Sequence, residues 1–265
     1  MINNPDSPFS SVIGLGAFKA EYAKGNRGRW FSVVFGVACL LAVPALLLVA
    51  AYVGYTTLND SGLYRVTGAV ALPLVGALAA LVIGAAVLYN TWSNWGLAAA
   101  LYENGVAYQS RKGLQQVAWS DVAGVWQRVT KHYTNGVYTG TTHTYTIQTN
   151  NGEKFVLDDR LGKTVEELGN AVQRGAANTL FPRFWQALQN GQRLTFGPLA
   201  LDREKLYSGK KELRWNEIKA VKINKGVISI RKDDKSWFSW STASVPQIPN
   251  FFIFYELVGR FSNIE

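Results

Sequence analysis

Two long apolar stretches without charge dominate the first part of the chain. No charged residue occurs between Trp30 and Asn59, and none occurs between Val66 and Tyr102. Each stretch supplies the roughly 20 apolar residues that a helix needs to cross a bilayer. Neither shows the polar face that recurs every 3.6 residues in a helix of a soluble protein. We therefore predict two transmembrane helices, at residues 30–53 and 66–92, because the rest of a 265-residue chain is too small to bury such a hairpin.

The charges that flank these stretches predict their orientation. Four basic residues lie between Lys19 and Arg29, ahead of the first stretch, and more follow the second. Positive charge concentrates on the cytoplasmic side of membrane proteins. We therefore expect a cytoplasmic tail at residues 1–29, a short external loop at residues 54–65, and both termini in the cytoplasm. The chain is predicted to be integral to the plasma or inner membrane.

The remainder of the chain reads as strands followed by a helix, twice over. After Trp95 short alternating runs are broken by Gly, Asn and Asp, which is typical of strands and turns. From Thr164 the apolar residues follow helical spacing. The same order recurs after Arg193 and ends in a helix near residues 248–261. Within the first set of strands we expect a loop at residues 134–140.

A short motif occurs once in each set. Trp119-Ser-Asp-Val122 matches Trp215-Asn-Glu-Ile218, and the two tryptophans are 96 residues apart, about the size of a small domain. In each case a strand ends at the tryptophan, a polar pair turns the chain, and an aliphatic residue begins the next strand. We predict two tandem copies of one fold, at residues 96–190 and 191–265, each with its tryptophan in the core.

A strand-rich sheet with a Trp-[SN]-[DE]-[VI] corner and one C-terminal helix resembles the pleckstrin-homology-like domains of bacterial membrane proteins. The segments Leu101-Tyr-Glu-Asn-Gly-Val106, Phe196-Gly197 and Ile248-Pro-Asn250 are also similar to an uncharacterised two-span family of that kind. The resemblance covers roughly residues 95–262. It implies an α+β protein with a transmembrane α-hairpin and two tandem β-sandwich or barrel domains, each closed by a C-terminal helix. It implies no catalytic residue.

Residues that usually carry catalysis or bind metal are scarce. Cys39 is the only cysteine, and His132 and His143 are the only histidines, so an intrachain disulfide and a cysteine zinc site are excluded. No phosphate-binding loop or nucleophile-elbow motif occurs. We expect both histidines to face solvent from strands, and Asp158-Asp159 to cap a helix. The sequence predicts a protein that is not an enzyme and needs no cofactor or metal.

Positive charge is concentrated in the second set of strands. Between Arg203 and Lys235 there are eleven basic and five acidic residues, which supply +6 of the net charge of +9. A Lys or Arg held beside anionic lipid contributes roughly 1 kcal/mol to membrane binding. The spacing departs from the phosphoinositide-binding pattern of pleckstrin-homology folds, so the expected ligand is anionic headgroup charge in general. An ordinary solvated basic face explains the same pattern. The candidate lipid-binding surface comprises Lys205, Lys210, Lys211, Arg214, Lys232 and Lys235.

Two functions stay open at the level of sequence, and an enzyme stays open only if its pocket is built from residues that form no known motif. The first is a membrane-anchored, non-enzymatic module that binds a protein, a peptide or anionic lipid at the inner membrane surface, with residues 134–149 as an exposed hairpin able to pair with a partner. The second is an oligomeric two-span channel or transport component with cytoplasmic gating domains, although neither span carries an ionisable residue to line an aqueous path. Nucleic-acid binding is not expected, because the aromatic residues around Trp237 follow strand spacing.

Overall fold

Residues 24–97 and the remainder of the chain form separate units. The computed structural model describes residues 8–23, 25–162, 164–232 and 239–264. The helical unit is Lys24–Leu97, and the other unit combines Met1–Ala23 with Ala98–Glu265. The predicted α+β class, with two long apolar helices near the N-terminus and antiparallel sheets after them, is confirmed.

The helical unit consists of α1 (Asn26–Ser61) and α2 (Leu63–Ser93). Both helices are long and apolar enough to cross a membrane. Large apolar side chains on them are exposed, for example Leu41 at 68% and Leu72 at 81%. Soluble proteins rarely expose contiguous apolar surface on this scale, so the exposed helix faces fit an apolar surrounding.

The connection between the two helices is a turn at Gly62. Residues 54–65, expected to form a loop, are helical except at Gly62. Gly62 has a φ of +79°, which glycine adopts without steric cost, and its N–H donates to the carbonyl oxygen of Leu58 at 3.2 Å. The prediction of a loop at residues 54–65 is therefore wrong. Polar residues mark where the apolar segment ends, but they do not end the helix, which continues until Gly62 interrupts it.

Small residues allow α1 and α2 to approach closely. A Cβ atom added to Gly84 would lie 3.0 Å from the carbonyl oxygen of Gly36, and one added to Gly36 would lie 2.7 Å from Leu88 Cγ. Such positions let helix backbones pack together in membranes. Glycine at both positions therefore fits the close crossing of this hairpin.

The other unit contains four antiparallel sheets in two successive sets. In the first set, the four-stranded sheet β1-β2-β3-β4 comprises Phe18–Ala23, Ala98–Tyr102, Gly105–Ser110 and Gly113–Ala118. The three-stranded sheet β5-β6-β7 comprises Val122–Thr134, Val137–Thr149 and Lys154–Asp158, and α3 (Val165–Gln189) follows it.

The second set follows the same order of elements. Its four-stranded sheet β11-β10-β9-β8 comprises, in chain order from β8, Leu194–Phe196, Leu199–Leu201, Lys205–Ser208 and Lys211–Arg214. Its three-stranded sheet β12-β13-β14 comprises Ile218–Asn224, Val227–Lys232 and Ser241–Ser244, and α4 (Phe251–Gly259) follows it. Over the described residues, hydrogen bonding does not close the sheets into a barrel.

The two apolar helices are inserted in the sequence between two neighbouring strands of the first sheet. β1 precedes them in the chain and β2 follows them, yet the two strands are neighbours and pair antiparallel, ending with Ala23 opposite Ala98. Residues 24–97 therefore leave and re-enter one sheet at adjacent strand ends. The prediction that residues 1–29 form a tail is therefore wrong for Phe18–Ala23, because this segment forms a strand of the first sheet.

Residues ahead of β1 cover one face of the same sheet. Phe9 is 1% exposed and packs in a cluster with Ala98, Ala100 and Ala107. The hydroxyl of Tyr102 donates to the carbonyl oxygen of Phe9 at 3.1 Å. Three alanines leave room for the phenylalanine ring, and burial of such a ring contributes about 1.5–3 kcal/mol. The N-terminal segment is therefore part of the folded unit.

The two motif tryptophans occupy equivalent positions. Both are buried, Trp119 at 4% and Trp215 at 9% exposure, which confirms their predicted place in the core. Each indole Nε1 donates at 3.0 Å to a backbone carbonyl, that of Glu103 in the β2–β3 turn for Trp119 and that of Asp202 in the β9–β10 turn for Trp215. Each tryptophan also begins a one-turn 3₁₀ helix. The two corners are therefore fastened in the same way.

Asn250, directly ahead of α4, connects the second set of elements to the first. Its backbone N–H donates to the carbonyl oxygen of Val125 at 2.8 Å, its Oδ1 accepts from the N–H of Val125 at 3.0 Å, and its Nδ2 donates to the carbonyl oxygen of Ala123 at 3.1 Å. Its φ is +52°, a left-handed conformation that asparagine tolerates better than most residues. The two sets are thus held together by hydrogen bonds along β5.

Candidate functional site

The basic residues predicted to form one lipid-binding surface are distributed over both ends of a hairpin. Lys205 lies opposite Arg214 at the start of β10 and the end of β11. Lys210 and Lys211 lie at the other end, at the turn between these strands. Lys235 lies outside the described residues. The structure therefore divides the predicted surface into two groups.

Two of the predicted lysines face carboxylates. Lys205 Nζ lies 2.7 Å from Glu212 Oε1, and Lys232 Nζ lies 3.6 Å from Glu217 Oε1. A hydrogen bond from the backbone N–H of Arg214 lowers the pKa of Glu217, and the charge of Lys232 adds to this. These two carboxylates reduce the positive potential that Lys205 and Lys232 offer to an anionic ligand.

Asp202 organises the turn to which Trp215 is fastened. Its carboxylate accepts hydrogen bonds from the Tyr207 hydroxyl at 2.7 Å and from the N–H groups of Glu204 and Lys205, both at 2.8 Å. Burial alone raises the pKa of Asp202, but these hydrogen bonds outweigh it and the pKa lies below its ordinary value. The bond to Asp202 raises the pKa of Tyr207 to about 12. This carboxylate has a structural role within one turn.

His143 lies between two carboxylates, so the expectation that it faces solvent is corrected. Its side chain is 15% exposed, with Nδ1 3.9 Å from Asp159 Oδ1 and Nε2 3.5 Å from Glu166 Oε2. The first turn of α3 brings Glu166 to β6, which strand spacing alone does not show. Asp158, by contrast, accepts from the N–H of Arg160 at the start of a 3₁₀ turn, and this confirms its predicted capping role. The described ranges contain no group of three or more His, Cys, Asp or Glu arranged for a metal ion.

β5 and β6 continue past the sheet to which they belong. Both strands have 13 residues, whereas β7 pairs with β6 only from Thr144 to Gln148. The remaining two-stranded hairpin, residues 129–143, is called the arm below. Its tip is the turn Asn135-Gly136, with φ of +50° and +80°, a sequence typical of two-residue hairpin turns. The expected loop at residues 134–140 is corrected, because strand pairing resumes at Val137.

The arm exposes apolar and aromatic side chains. Val129 is 44% exposed, Tyr133 61%, Val137 67% and Tyr138 54%. The rings of Tyr133 and Tyr138 pack edge to face with centroids 5.9 Å apart. A contact of this kind orders the end of the hairpin and contributes about 0.5–1.5 kcal/mol. The arm therefore presents an ordered, partly apolar surface.

A groove of about 570 Å³ lies between the arm and the turn that joins β12 to β13. This arm groove is lined by Val129, Lys131, Tyr133, Lys225 and Gly226. Lys131 and Lys225 form no ion pair among the described residues. The groove therefore combines two lysine charges with apolar and tyrosine surface, a composition that suits an anionic, amphipathic ligand.

A second groove, of about 690 Å³, lies between α3 and α4. Arg174 and Asn178 line it from α3, and Tyr255 and Arg260 line it from α4. The guanidinium of Arg260 lies 4.4 Å from the ring centroid of Trp185, a cation–π contact. Arg260 also donates to Glu256 Oε1 at 3.1 Å in the same lining, so its charge is partly balanced, and the groove combines arginine charge with aromatic surface.

The chain belongs to a family of unknown function, DUF6585, whose sequence profile matches residues 8–264. The match includes the N-terminal segment, the two apolar helices and both sets of strands. The predicted membership in an uncharacterised family is confirmed at that level. A search of curated proteins found no match.

Proposed function

We propose that this chain is an integral membrane protein that holds a non-enzymatic binding module against the cytoplasmic surface of the membrane. The observation that carries the proposal is the insertion of both apolar helices between β1 and β2. Strands that pair in an open sheet must lie on the same side of a bilayer, because the open edge of a sheet is not tolerated in the hydrocarbon core. An even number of spans between them satisfies this condition, and α1 and α2 provide two.

The module itself is proposed to be a tandem pair of pleckstrin-homology-like domains. Each set has a four-stranded sheet, a Trp corner, a three-stranded sheet and a C-terminal helix, in that order. The equivalent indole hydrogen bonds at Trp119 and Trp215 support descent of both sets from one fold. β1 supplies the strand that corresponds to β8, so the first domain begins ahead of the two spans.

Binding, and not catalysis, is the activity that the surface supports. The arm groove and the groove between α3 and α4 offer cationic and aromatic surface to anionic lipid or to a protein. The carboxylates with resolved partners serve turns and ion pairs, as Asp202 and Glu217 do. A channel is less well supported, because residues 66–102 contain no charged side chain to line a pore.

Cysteine labelling tests the proposed arrangement. In a Cys39→Ser background, Ser10→Cys, Ser120→Cys and Ser61→Cys each place one thiol at an exposed position. A membrane-impermeant maleimide added to intact cells should label only Ser61→Cys, and the other two should react only after the membrane is opened. The protein should also stay in the membrane pellet through an alkaline wash. Labelling of Ser10→Cys and Ser120→Cys from opposite sides, or release by the wash, would contradict the proposal.

A further inference from the structure

We propose that the arm and its groove form a contact site for anionic phospholipid, with the arm tip resting in the headgroup layer and Lys131 and Lys225 beside the phosphates. This inference rests on the proposed function, because it requires the module to be held at a membrane. It assigns the lipid contact to residues outside the basic surface predicted from the sequence.

The fold does not require the arm. Residues 129–143 pair with each other, and no third strand pairs with them in the part of the chain that the structure describes. A two-stranded hairpin alone is marginally stable in water, and this one also exposes Tyr133, Val137 and Tyr138 by more than half. The rings of Tyr133 and Tyr138 pack on each other, and exposed tyrosines of this kind are enriched at interfaces and at membrane surfaces. Because these exposed side chains do not contribute to the sheet, we expect the tip of the arm to contact another molecule.

The charge of the arm favours an anionic surface as that contact. The sequence from Val122 to Gly152 contains no Asp or Glu, whereas Arg128 and Lys131 lie within it. Lys225 faces the same groove from the second set. Each cation held near anionic lipid contributes roughly 1 kcal/mol. Tyrosine is also enriched at membrane interfaces, where the ring is apolar and the hydroxyl stays hydrated.

Hydrogen bonding limits how deep the arm can enter. β5 is an edge strand. Over the described residues, the two strands of the arm form backbone hydrogen bonds with each other, and their outer edges pair with no further strand. Unpaired N–H and C=O groups are not tolerated in the hydrocarbon core. The structure therefore assigns the tip to the hydrated headgroup layer, where water satisfies this edge.

A probe at the tip tests the site in the full chain. Val137→Cys in the Cys39→Ser background, labelled with an environment-sensitive fluorophore, is reconstituted in vesicles of phosphatidylcholine alone or mixed with phosphatidylglycerol. We expect blue-shifted emission and quenching by headgroup-labelled lipid in the mixed vesicles, and loss of both at high salt. The same probe at Lys210→Cys, at the turn between β10 and β11, should respond to neither lipid.

Charge variants separate this site from the surface predicted from the sequence. Lys131→Gln with Lys225→Asn should lower the ratio of inserted to free arm by about fivefold per lysine; asparagine suits the φ of +49° at Lys225. Lys210→Gln with Lys211→Gln should leave the ratio unchanged. A tip probe that stays in water in both vesicle types would overturn the lipid site and leave the arm to a protein partner. If the protein meanwhile resists alkaline extraction, the proposed function stands and only this inference fails.

Discussion

The two sets of strands differ most at one hairpin. In the first set β5 and β6 each have 13 residues, whereas the corresponding β12 and β13 have seven and six. The shorter hairpin is paired along its whole length by the sheet, and the longer one extends beyond it as the arm. The elements that both sets share are therefore the ones that the fold needs. The arm is an addition to the first set, and the fold gives no structural reason for it.

The first set also differs in how its chain is assembled. β8 to β11 are continuous in sequence, whereas residues 24–97 separate β1 from β2. An insertion at this point leaves the strand pairing intact because Ala23 and Ala98 are neighbours. A connection between two neighbouring strands of such a sheet can therefore carry two long apolar helices.

The largest expected effect tests whether the two corners are equivalent. Trp119→Ala and Trp215→Ala should each lower the free energy of unfolding by about 3–5 kcal/mol, as large-to-small core substitutions do. The measurement is denaturant unfolding in detergent, monitored by circular dichroism. Trp126→Ala, at a half-buried position in β5, serves as a control with a smaller loss. A loss at one corner and not at the other would break the equivalence of the two sets.

Asn250 has no counterpart ahead of α3, so its hydrogen bonds to β5 are a second difference between the two sets. Asn250→Gly keeps the left-handed backbone but removes two side-chain hydrogen bonds to β5, and should lower the free energy of unfolding by about 1–3 kcal/mol. Asn250→Ala adds left-handed strain of about 1 kcal/mol. The same unfolding measurement should therefore rank the proteins as wild type, then glycine, then alanine. Equal stability of all three would show that this connection does not hold the two sets together.

The turn at Asp202 should make the second set sensitive to acid. Because the folded-state pKa of Asp202 is lowered, its contribution to stability is present above the ordinary carboxyl pKa, about 3.9, and is lost as pH falls through the folded value. Asp202→Asn keeps an acceptor for the backbone N–H groups but removes the charge. The variant should be less stable than wild type at pH 6, and the difference should shrink toward pH 2. A constant difference across this range would contradict the assigned charge effect.

The smallest expected effect concerns the arm. Replacement of residues 131–141 by Asn-Gly shortens β5 and β6 to nine and eight residues, close to the seven and six of their counterparts, and should change the free energy of unfolding by less than about 0.5 kcal/mol, as surface changes do. Thermal unfolding of both proteins in the same detergent provides the comparison. A loss of several kcal/mol would mean that the arm is part of the fold after all.

Sequence reasoning was most successful where one physical effect dominates. Absence of charge over residues 30–59 predicted a helix long and apolar enough to span a membrane, and the recurrence of Trp-[SN]-[DE] predicted the buried corners. It failed where distant segments meet. The strand Phe18–Ala23 read as a tail because its partner lies beyond both spans, and the alanines of β2 gave no sign that they receive Phe9.

The candidate site was less accessible to sequence reasoning than the fold. A run of basic residues does not reveal which of them face carboxylates, as Lys205 faces Glu212. The arm groove joins Lys131 and Lys225, which are far apart in the chain and meet only through tertiary packing. One signal was available, namely the absence of Asp and Glu from Val122 to Gly152 beside exposed-strand tyrosines.

Disulfide trapping tests the insertion of the spans between β1 and β2 most directly. Cysteines at Ala23 and Ala98, in a Cys39→Ser background, would occupy paired positions, and Cα atoms of paired antiparallel strands lie about 4.5–5.5 Å apart, within reach of a disulfide. The account predicts rapid cross-linking of Ala23→Cys with Ala98→Cys in native membranes under mild oxidation, and none of Ala23→Cys with Ser120→Cys. Failure of the first pair to cross-link, with both thiols still reactive toward maleimide, would contradict it.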